Sequence, residues 1–250
     1  MTRILLTGAC GKMGKVIQSV VEARENCEIV AGVDKFNDNS AKFPVYEKIS
    51  DVKEDADVVI DFSNPALLDD LLDYAKKTNT ALVIATTGFD ECQKKKISDA
   101  SKESPIFFTY NMSIGINLLA SLAKKAVAVL GNDFDIEIIE QHHNQKIDAP
   151  SGTALMLADA ISEEFDKPMK YEYDRHSKRE KRTKNEIGMH SIRGGTIVGE
   201  HSILFAGRDE NITLSHSARS KEVFAVGAVN AALYMKDKAP GMYDMGELVK

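Results

Sequence analysis

Short apolar runs punctuate the first half of the chain at Ile4–Thr7, Ile29–Val33, Val58–Phe62, Ala81–Thr86 and Ile106–Thr109. Amphipathic stretches of helical period, Lys12–Ala23, Pro65–Lys77 and Asp90–Lys102, separate most of them. Apolar runs bounded by Gly, Asp, Asn or Ser predict strands buried on both faces, and their alternation with helices builds βαβ units. The pattern therefore predicts an α/β fold: an N-terminal Rossmann-type, doubly wound parallel sheet with helices on both faces. After Asn111 the rhythm changes. A long helix is predicted over Ile114–Leu130, a strand over Asp135–Glu140 and a helix over Thr153–Phe165, followed by alternating segments at Gly188–Arg193, Thr196–Phe205 and Asn211–Ser217. Alternation implies a sheet with one solvated face, so residues 113–219 are predicted to form a second, α+β domain with an open mixed sheet. A last helix, Lys221–Met235, is placed to pack back on residues 1–112, so that segment 220–250 completes the first domain.

Composition supports a globular reading: 43% of the 250 residues are hydrophobic and 28% charged, enough to bury a core. The net charge of −6 lacks the basic surface that nucleic acid or an anionic membrane requires, so neither is expected as a partner. Cys10, Cys27 and Cys92 are odd in number and form no C-x-x-C pair, which points away from a disulfide framework or a cysteine zinc site and towards a reducing compartment. The apolar start reaches Gly8 too soon for a signal peptide, and no later run is taken as membrane-spanning, so a cytoplasmic chain is expected. The basic run of Arg175, Lys178, Arg179, Lys181, Arg182 and Lys184 is expected to be a solvated, flexible loop rather than an anion-binding patch.

The first chemical motif lies between the first strand and the first helix: Gly8, Ala9, Cys10, Gly11, Lys12, Met13, Gly14. Glycines there permit a tight turn, close backbone approach to a pyrophosphate and close helix–strand packing, while the helix N-terminus offers free N–H groups to the anion. The spacing is G-x-x-G-x-x-G, so Ala9 stands where the usual fingerprint has its first glycine. Asp34 ends the second strand 20 residues beyond Gly14, where a carboxylate binds adenine-ribose hydroxyls and favours NAD. Lys35 is equally able to pair with a 2′-phosphate, which leaves NADH and NADPH both open. Thr86, Thr87, Gly88 and Asn111 close later strands at the ligand-binding edge of such a sheet and are candidates for the nicotinamide end.

The second motif runs Glu140-Gln141-His142-His143-Asn144-Gln145-Lys146-Ile147-Asp148-Ala149-Pro150-Ser151-Gly152-Thr153-Ala154. His exchanges a proton near neutrality, and Lys stays cationic beside a carboxylate or donates a proton when desolvated. Ser151 is a good N-cap for a helix opening at Gly152 and Thr153, whose free N–H groups suit a carboxylate. No H-E-x-x-H helix or third ligand at metal spacing accompanies the histidines, so no metal is expected, and Ser151 lacks the G-x-S-x-G elbow of a covalent nucleophile.

Together these motifs resemble the 4-hydroxy-tetrahydrodipicolinate reductase (dihydrodipicolinate reductase) family of bacterial lysine and diaminopimelate synthesis. The likeness extends through Ala85-Thr86-Thr87-Gly88-Phe89, Gly199-Glu200-His201 and Phe224-Ala225-Val226-Gly227-Ala228. It implies a nicotinamide-dependent reductase acting on a small dicarboxylate, with a dinucleotide-binding first domain and a second domain that binds substrate and joins a homotetramer. By the same resemblance His142 is the general acid/base and Lys146 the proton donor. His143, Lys146, Ser151, Gly152 and Thr153 then bind the substrate carboxylates, while Gly8 through Met13, Asp34, Lys35, Ala85, Thr86, Thr87, Thr109, Tyr110, Asn111 and Met112 contact the cofactor. Ala85 replaces a glycine common in the family, and Asp34-Lys35 stands where some members carry Glu-Arg, so the departures bear on nucleotide preference. Lys221 stands where some members have Arg and is left outside the site. The competing assignments are another amino-acid or aldehyde oxidoreductase of this architecture, or a dinucleotide-sensing regulator without turnover.

Overall fold

The computed structural model describes residues 1–37 and 39–249. In chain order the first elements are β1 (Thr2–Thr7), α1 (Lys12–Glu22), β2 (Cys27–Val33), β3 (Val45–Tyr46), β4 (Val58–Asp61), α2 (Leu68–Thr78), β5 (Ala81–Ile84), α3 (Glu91–Ala100) and β6 (Pro105–Phe108). Then come α4 (Ile114–Leu130), β7 (Asp135–His142), α5 (Gly152–Ser162), β8 (Lys170–Glu172), β9 (Glu186–Arg193), β10 (Gly199–Ala206) and β11 (Asn211–Ala218). The chain closes with α6 (Glu222–Met235) and β12 (Gly241–Tyr243). It divides into two compact units, Met1–Ile114 with Lys221–Lys250, and Gly115–Ser220.

The first unit is built on a seven-stranded parallel sheet in the order β12-β6-β5-β4-β1-β2-β3. Alternation along β1 divides its core. Ile4 and Leu6 face Ile17 and Val21 of α1 and Ala225, Ala228 and Ala232 of α6, whereas Leu5 faces the layer holding Leu71 and Ala75 of α2 and Ile97 of α3. Strand order reverses between β1 and β4, and at this switch point the loop after β1 leads to α1 on one face and the loop after β4 to α2 on the other. The C-terminal segment adds α6 to one face and the edge strand β12 beside β6.

In the second unit a mixed sheet runs β11-β10-β7-β9-β8, with β10 antiparallel to both neighbours and β7, β9 and β8 mutually parallel. Its inner face carries Ile136, Ile138, Ile187, Met189, Ile203 and Phe205 against Leu119 and Val127 of α4 and Leu157 and Ile161 of α5. The outer face carries Glu137, Ile139, Leu204, Thr213 and Ser215, the mixed composition of an open sheet.

The structure differs from the sequence expectations in three ways. Segment Ile114–Asp133 is long and apolar enough to cross a membrane by length and composition, contrary to the expectation that no run reaches that length. It is amphipathic, however: Ile116, Leu119, Ala123 and Val127 recur at helical spacing and are buried in the second core, with Leu118, Leu122 and Val129 outside. The basic segment is likewise not a free loop. Arg182 donates to Glu137 (2.9 Å) and to the Glu186 carbonyl (2.7 Å), Arg175 pairs with Glu186 (3.1 Å), and Lys178 pairs with Glu172. These acids lie on β7, β8 and β9, so Arg175, Lys178 and Arg182 are tied to the sheet by charge-assisted bonds, while Arg179 and Lys181 are exposed. Lastly, β3, β8 and β12 escape prediction, because edge strands of two or three residues carry too little periodicity.

Candidate active site

The turn after β1 is shaped by backbone crowding. Gly8 has φ +73°, and a Cβ there would meet the Phe62 carbonyl oxygen at 2.3 Å, so only glycine lets this loop pass the end of β4. Gly14 sits equally close, with a Cβ position 2.2 Å from the Gly8 carbonyl oxygen, which seats α1 against the turn. Gly11 is the N-cap of α1 with no side-chain cap, and no acidic residue occupies the first turn. The amide end of the helix is therefore left to an external anion. Asp34 accepts from the Cys10 N–H (2.9 Å) and the Phe36 N–H (3.1 Å), so its carboxylate fixes the loop. Lys35 is exposed. Ala9 is fully buried, so its methyl takes part in the core rather than facing a ligand.

Farther along the sheet edge, Thr86, Thr87, Gly88, Phe89, Phe108, Thr109 and Tyr110 line a cavity of about 160 Å³. The Asn111 turn is internally bonded: Thr109 Oγ1 accepts from Asn111 N–H (3.3 Å), and Asn111 Oδ1 from Ser113 N–H (2.8 Å). Ala85, Thr86, Thr109, Asn111 and Met112 are buried, whereas Tyr110 is 63% exposed. Along this edge stand an uncapped helix amide end at the switch point, a carboxylate at the end of β2, and a small polar-edged cavity beyond β5 and β6, the edge at which sheets of this kind take ligands.

In the second unit, β7 continues past the predicted Glu140 to His142, which puts Ile138, Glu140 and His142 on one face. His142 is 8% exposed, and its Nδ1 lies 2.5 Å from Glu140 Oε2. Arg193, at the end of the neighbouring β9, donates to both oxygens of Glu140, at 2.8 and 2.6 Å. Glu140 Oε1 also accepts the Ser151 N–H at 3.1 Å. Ser151 caps α5 through Ala154 N–H to Oγ (3.2 Å) and lies 3.1 Å from His201 Nε2, and the His201 ring stands edge-on to His142 at 5.2 Å. A Cβ on Gly199 would lie 3.1 Å from His142 Nε2, so glycine at the start of β10 keeps that nitrogen clear.

Between His142 and α5 the loop carries the remaining candidates. Lys146 N–H donates to the His143 carbonyl (3.1 Å), and Lys146 Nζ pairs with Asp148 Oδ1 (2.9 Å). Lys146 and His142 both bear electrostatically on His201, which brings the loop cation to the same end of the sheet. His143 is half-buried at the start of the loop, and Thr153 lies in the first turn of α5. Gly152 has nothing within 4 Å of a Cβ position, which leaves the amide end of α5 approachable. Glu140, Arg193 and His201 carried no predicted role. The signal for Glu140 was the two-residue period of a strand ending at His142 rather than Glu140. For Arg193 it was its position at the tip of an alternating segment.

Burial raises the Glu140 carboxyl, but hydrogen bonds from Arg193, His142 and Ser191 outweigh it and bring it from 4.5 to about 2. His201 falls from 6.5 to about 4, chiefly through burial and then through the charge of His142. Both folded-state values are depressed, so each group favours the fold above its unfolded value and loses that contribution as pH falls: His201 from 6.5 towards about 4, Glu140 from 4.5 towards about 2. The urea midpoint is accordingly expected to drop in two stages on acidification, and His201→Gln to shrink the upper stage only, since His216, which burial also depresses from 6.5, still contributes there. A pH series of urea melts checks this, and an unchanged upper stage in the variant would refute it.

Residues 2–112 match the family model described as Dihydrodipicolinate reductase, N-terminus, and residues 115–249 that described as Dihydrodipicolinate reductase, C-terminus. The chain is 52% identical over its full length to 4-hydroxy-tetrahydrodipicolinate reductase of Caldanaerobacter subterraneus subsp. tengcongensis, and covers 99% of that protein. It is 50% identical to the Clostridium novyi protein of the same name, again over 100% of this chain and 99% of the relative. Among solved structures it is similar to a dipicolinate-bound dihydrodipicolinate reductase from a Paenisporosarcina species, with a TM-score of 0.82, 26% identity and complete coverage of both chains.

Proposed function

The chain belongs to the dihydrodipicolinate reductase family, and on that footing we propose how its residues divide the reaction. The protein reduces 4-hydroxy-tetrahydrodipicolinate to tetrahydrodipicolinate with a nicotinamide cofactor, in lysine and diaminopimelate biosynthesis. The substrate gains a hydride and a proton and loses one water. Bound NADH or NADPH supplies the hydride. The observation that carries the assignment of roles is the convergence of His142, Lys146 and the approachable amide end of α5 in the second unit.

The first unit binds the dinucleotide through the Gly8–Met13 turn, Asp34, Lys35, the Ala85–Thr87 turn and Thr109–Met112; the uncapped start of α1 suits its pyrophosphate. In the second unit, Lys146, His143 and the first turn of α5 (Ser151, Gly152, Thr153) hold the substrate carboxylates, because a cation and helix amides match two negative groups. Lys146 donates the proton to the reduced ring, and His142 serves as acid/base at its Nε2. Three free cysteines fit a reducing, cytoplasmic setting, and the open outer face of the five-stranded sheet fits assembly into a homotetramer.

The test couples a synthase, which forms the unstable substrate from pyruvate and aspartate semialdehyde, to this protein and follows loss of NADH or NADPH absorbance. Substrate-dependent oxidation is expected with both dinucleotides, and dipicolinate is expected to inhibit it. Lys35→Ala is expected to raise KM for NADPH about tenfold more than KM for NADH, since one charge-assisted contact to a 2′-phosphate is worth about 1.4 kcal/mol. No oxidation by folded protein would favour a sensing role without turnover.

A further inference from the structure

We propose that Glu140 and Arg193 are positioning residues: they hold His142 as the Nδ1–H tautomer, leave Nε2 to meet the substrate, and fasten that imidazole to the first turn of α5. The kinetic consequences rest on the reductase reading above; the tautomer does not.

An ionised carboxylate offers about four lone-pair sites. Those of Glu140 are all engaged, Oε2 by His142 Nδ1 (2.5 Å) and Arg193 Nη1 (2.8 Å), Oε1 by Arg193 Nη2 (2.6 Å) and Ser151 N–H (3.1 Å), and the Ser191 hydroxyl stands by as a further donor. A carboxylate gripped on both oxygens cannot turn away from the imidazole. At neutral pH it carries no proton to give, so His142 Nδ1 is the donor and Nε2 the basic nitrogen. Gly199 keeps the space beside that Nε2 free of a side chain.

An ion pair present for stability alone would need only its two charged partners, and a buried pair contributes little net stability once desolvation is counted. Arg193 does more. It also donates to the Asp148 carbonyl (2.7 Å), so one guanidinium grips the strand end before the loop and the turn before α5. The loop between them carries Lys146. The acid/base imidazole, the loop cation and the helix amide end are thereby set by one Arg–Glu unit, as the third group of a catalytic triad orients its histidine.

Charged and titratable groups surround His142. Glu140 on its own strand lies against Nδ1, Arg193 on β9 is neutralised by Glu140, and neutral His201 on β10 stands edge-on. Lys146 and Asp148 on the loop pair with one another, and His216 on β11 bears on His201.

The experiment joins imidazole nitrogen NMR on the full-length protein with kinetics of Glu140→Gln. The wild type is expected to show a far-downfield Nδ1 proton on His142 and an unprotonated Nε2, a signature lost in Glu140→Gln. In the coupled assay, kcat of the variant is expected to fall about 10²-fold or more, with KM for the dicarboxylate within about threefold. Glu140→Asp should recover part of the loss. An Nε2–H tautomer in the wild type overturns the proposal whether or not the variant folds, as does a folded Glu140→Gln with turnover within about threefold of wild type. If the wild type itself oxidises neither dinucleotide, the reductase reading falls, and the tautomer alone decides for or against Glu140.

Discussion

Replacing His142 with alanine is expected to lower kcat in the coupled assay by about 10²- to 10⁴-fold, and Lys146→Ala by a comparable factor, the range a positioned acid or base commonly supplies. The two losses should differ in kind. His142 is held inside the sheet by Glu140 and reaches the site through one nitrogen, so its removal takes away proton transfer and leaves carboxylate binding almost intact. Lys146 sits on the loop, 22% exposed and paired with Asp148, and can exchange that partner for a substrate carboxylate. Its loss should therefore also raise KM for the substrate, by about tenfold for one lost charge-assisted contact. Lys146→Arg should restore part of the binding and little of the turnover, because a guanidinium keeps its charge but does not give up its proton. Full activity in either alanine variant would remove that residue from the chemistry, and a pure KM effect in Lys146→Ala would leave it a binding group only.

What the chain discloses before folding follows from how each feature is encoded. The parallel sheet is legible because its central strands are buried on both faces and spell continuous apolar runs, as β5 and β6 do. The glycine turn after β1 is legible because Gly8 obeys a steric rule that no other residue satisfies. The pairing of β12 with β6 is not, since it joins residues far apart in the chain through a three-residue edge. Nor is the Arg193–Glu140 clamp: it spans 53 positions and depends on β9 lying parallel to β7, a register that no local pattern carries. The basic segment misleads for the same reason, its counter-charges being supplied by β7, β8 and β9. Residue types announced the chemistry of the site, whereas the groups that orient it arise only from strand pairing.

The C-terminal helix carries the second large expected effect, in Gly227→Ala. A Cβ at Gly227 would stand 1.7 Å from the Met112 carbonyl oxygen and 3.0 Å from Met245 Cε, inside a layer where Ala225, Ala228, Val229, Ala231 and Ala232 are fully buried. The nearest atom is backbone, so no side-chain rotation relieves the clash, and either α6 or the Met112 turn must move. Overpacking of this kind costs about 3 kcal/mol or more, which for a chain of this size lowers Tm by about 10 °C. Gly194→Ala is the control, because nothing lies within 4 Å of its Cβ position and its φ is ordinary for an L residue. Thermal melts of the two variants should separate widely, and equal melting would show that the close approach is not a constraint. The effect should also reach the cofactor. Met112 closes the Thr109–Met112 stretch proposed to contact the dinucleotide, so a displaced carbonyl there should raise KM for NADH more than KM for the dicarboxylate, whose proposed cradle lies on α5. A rise confined to the dicarboxylate would instead separate this turn from dinucleotide binding, leaving Gly227 a packing residue alone.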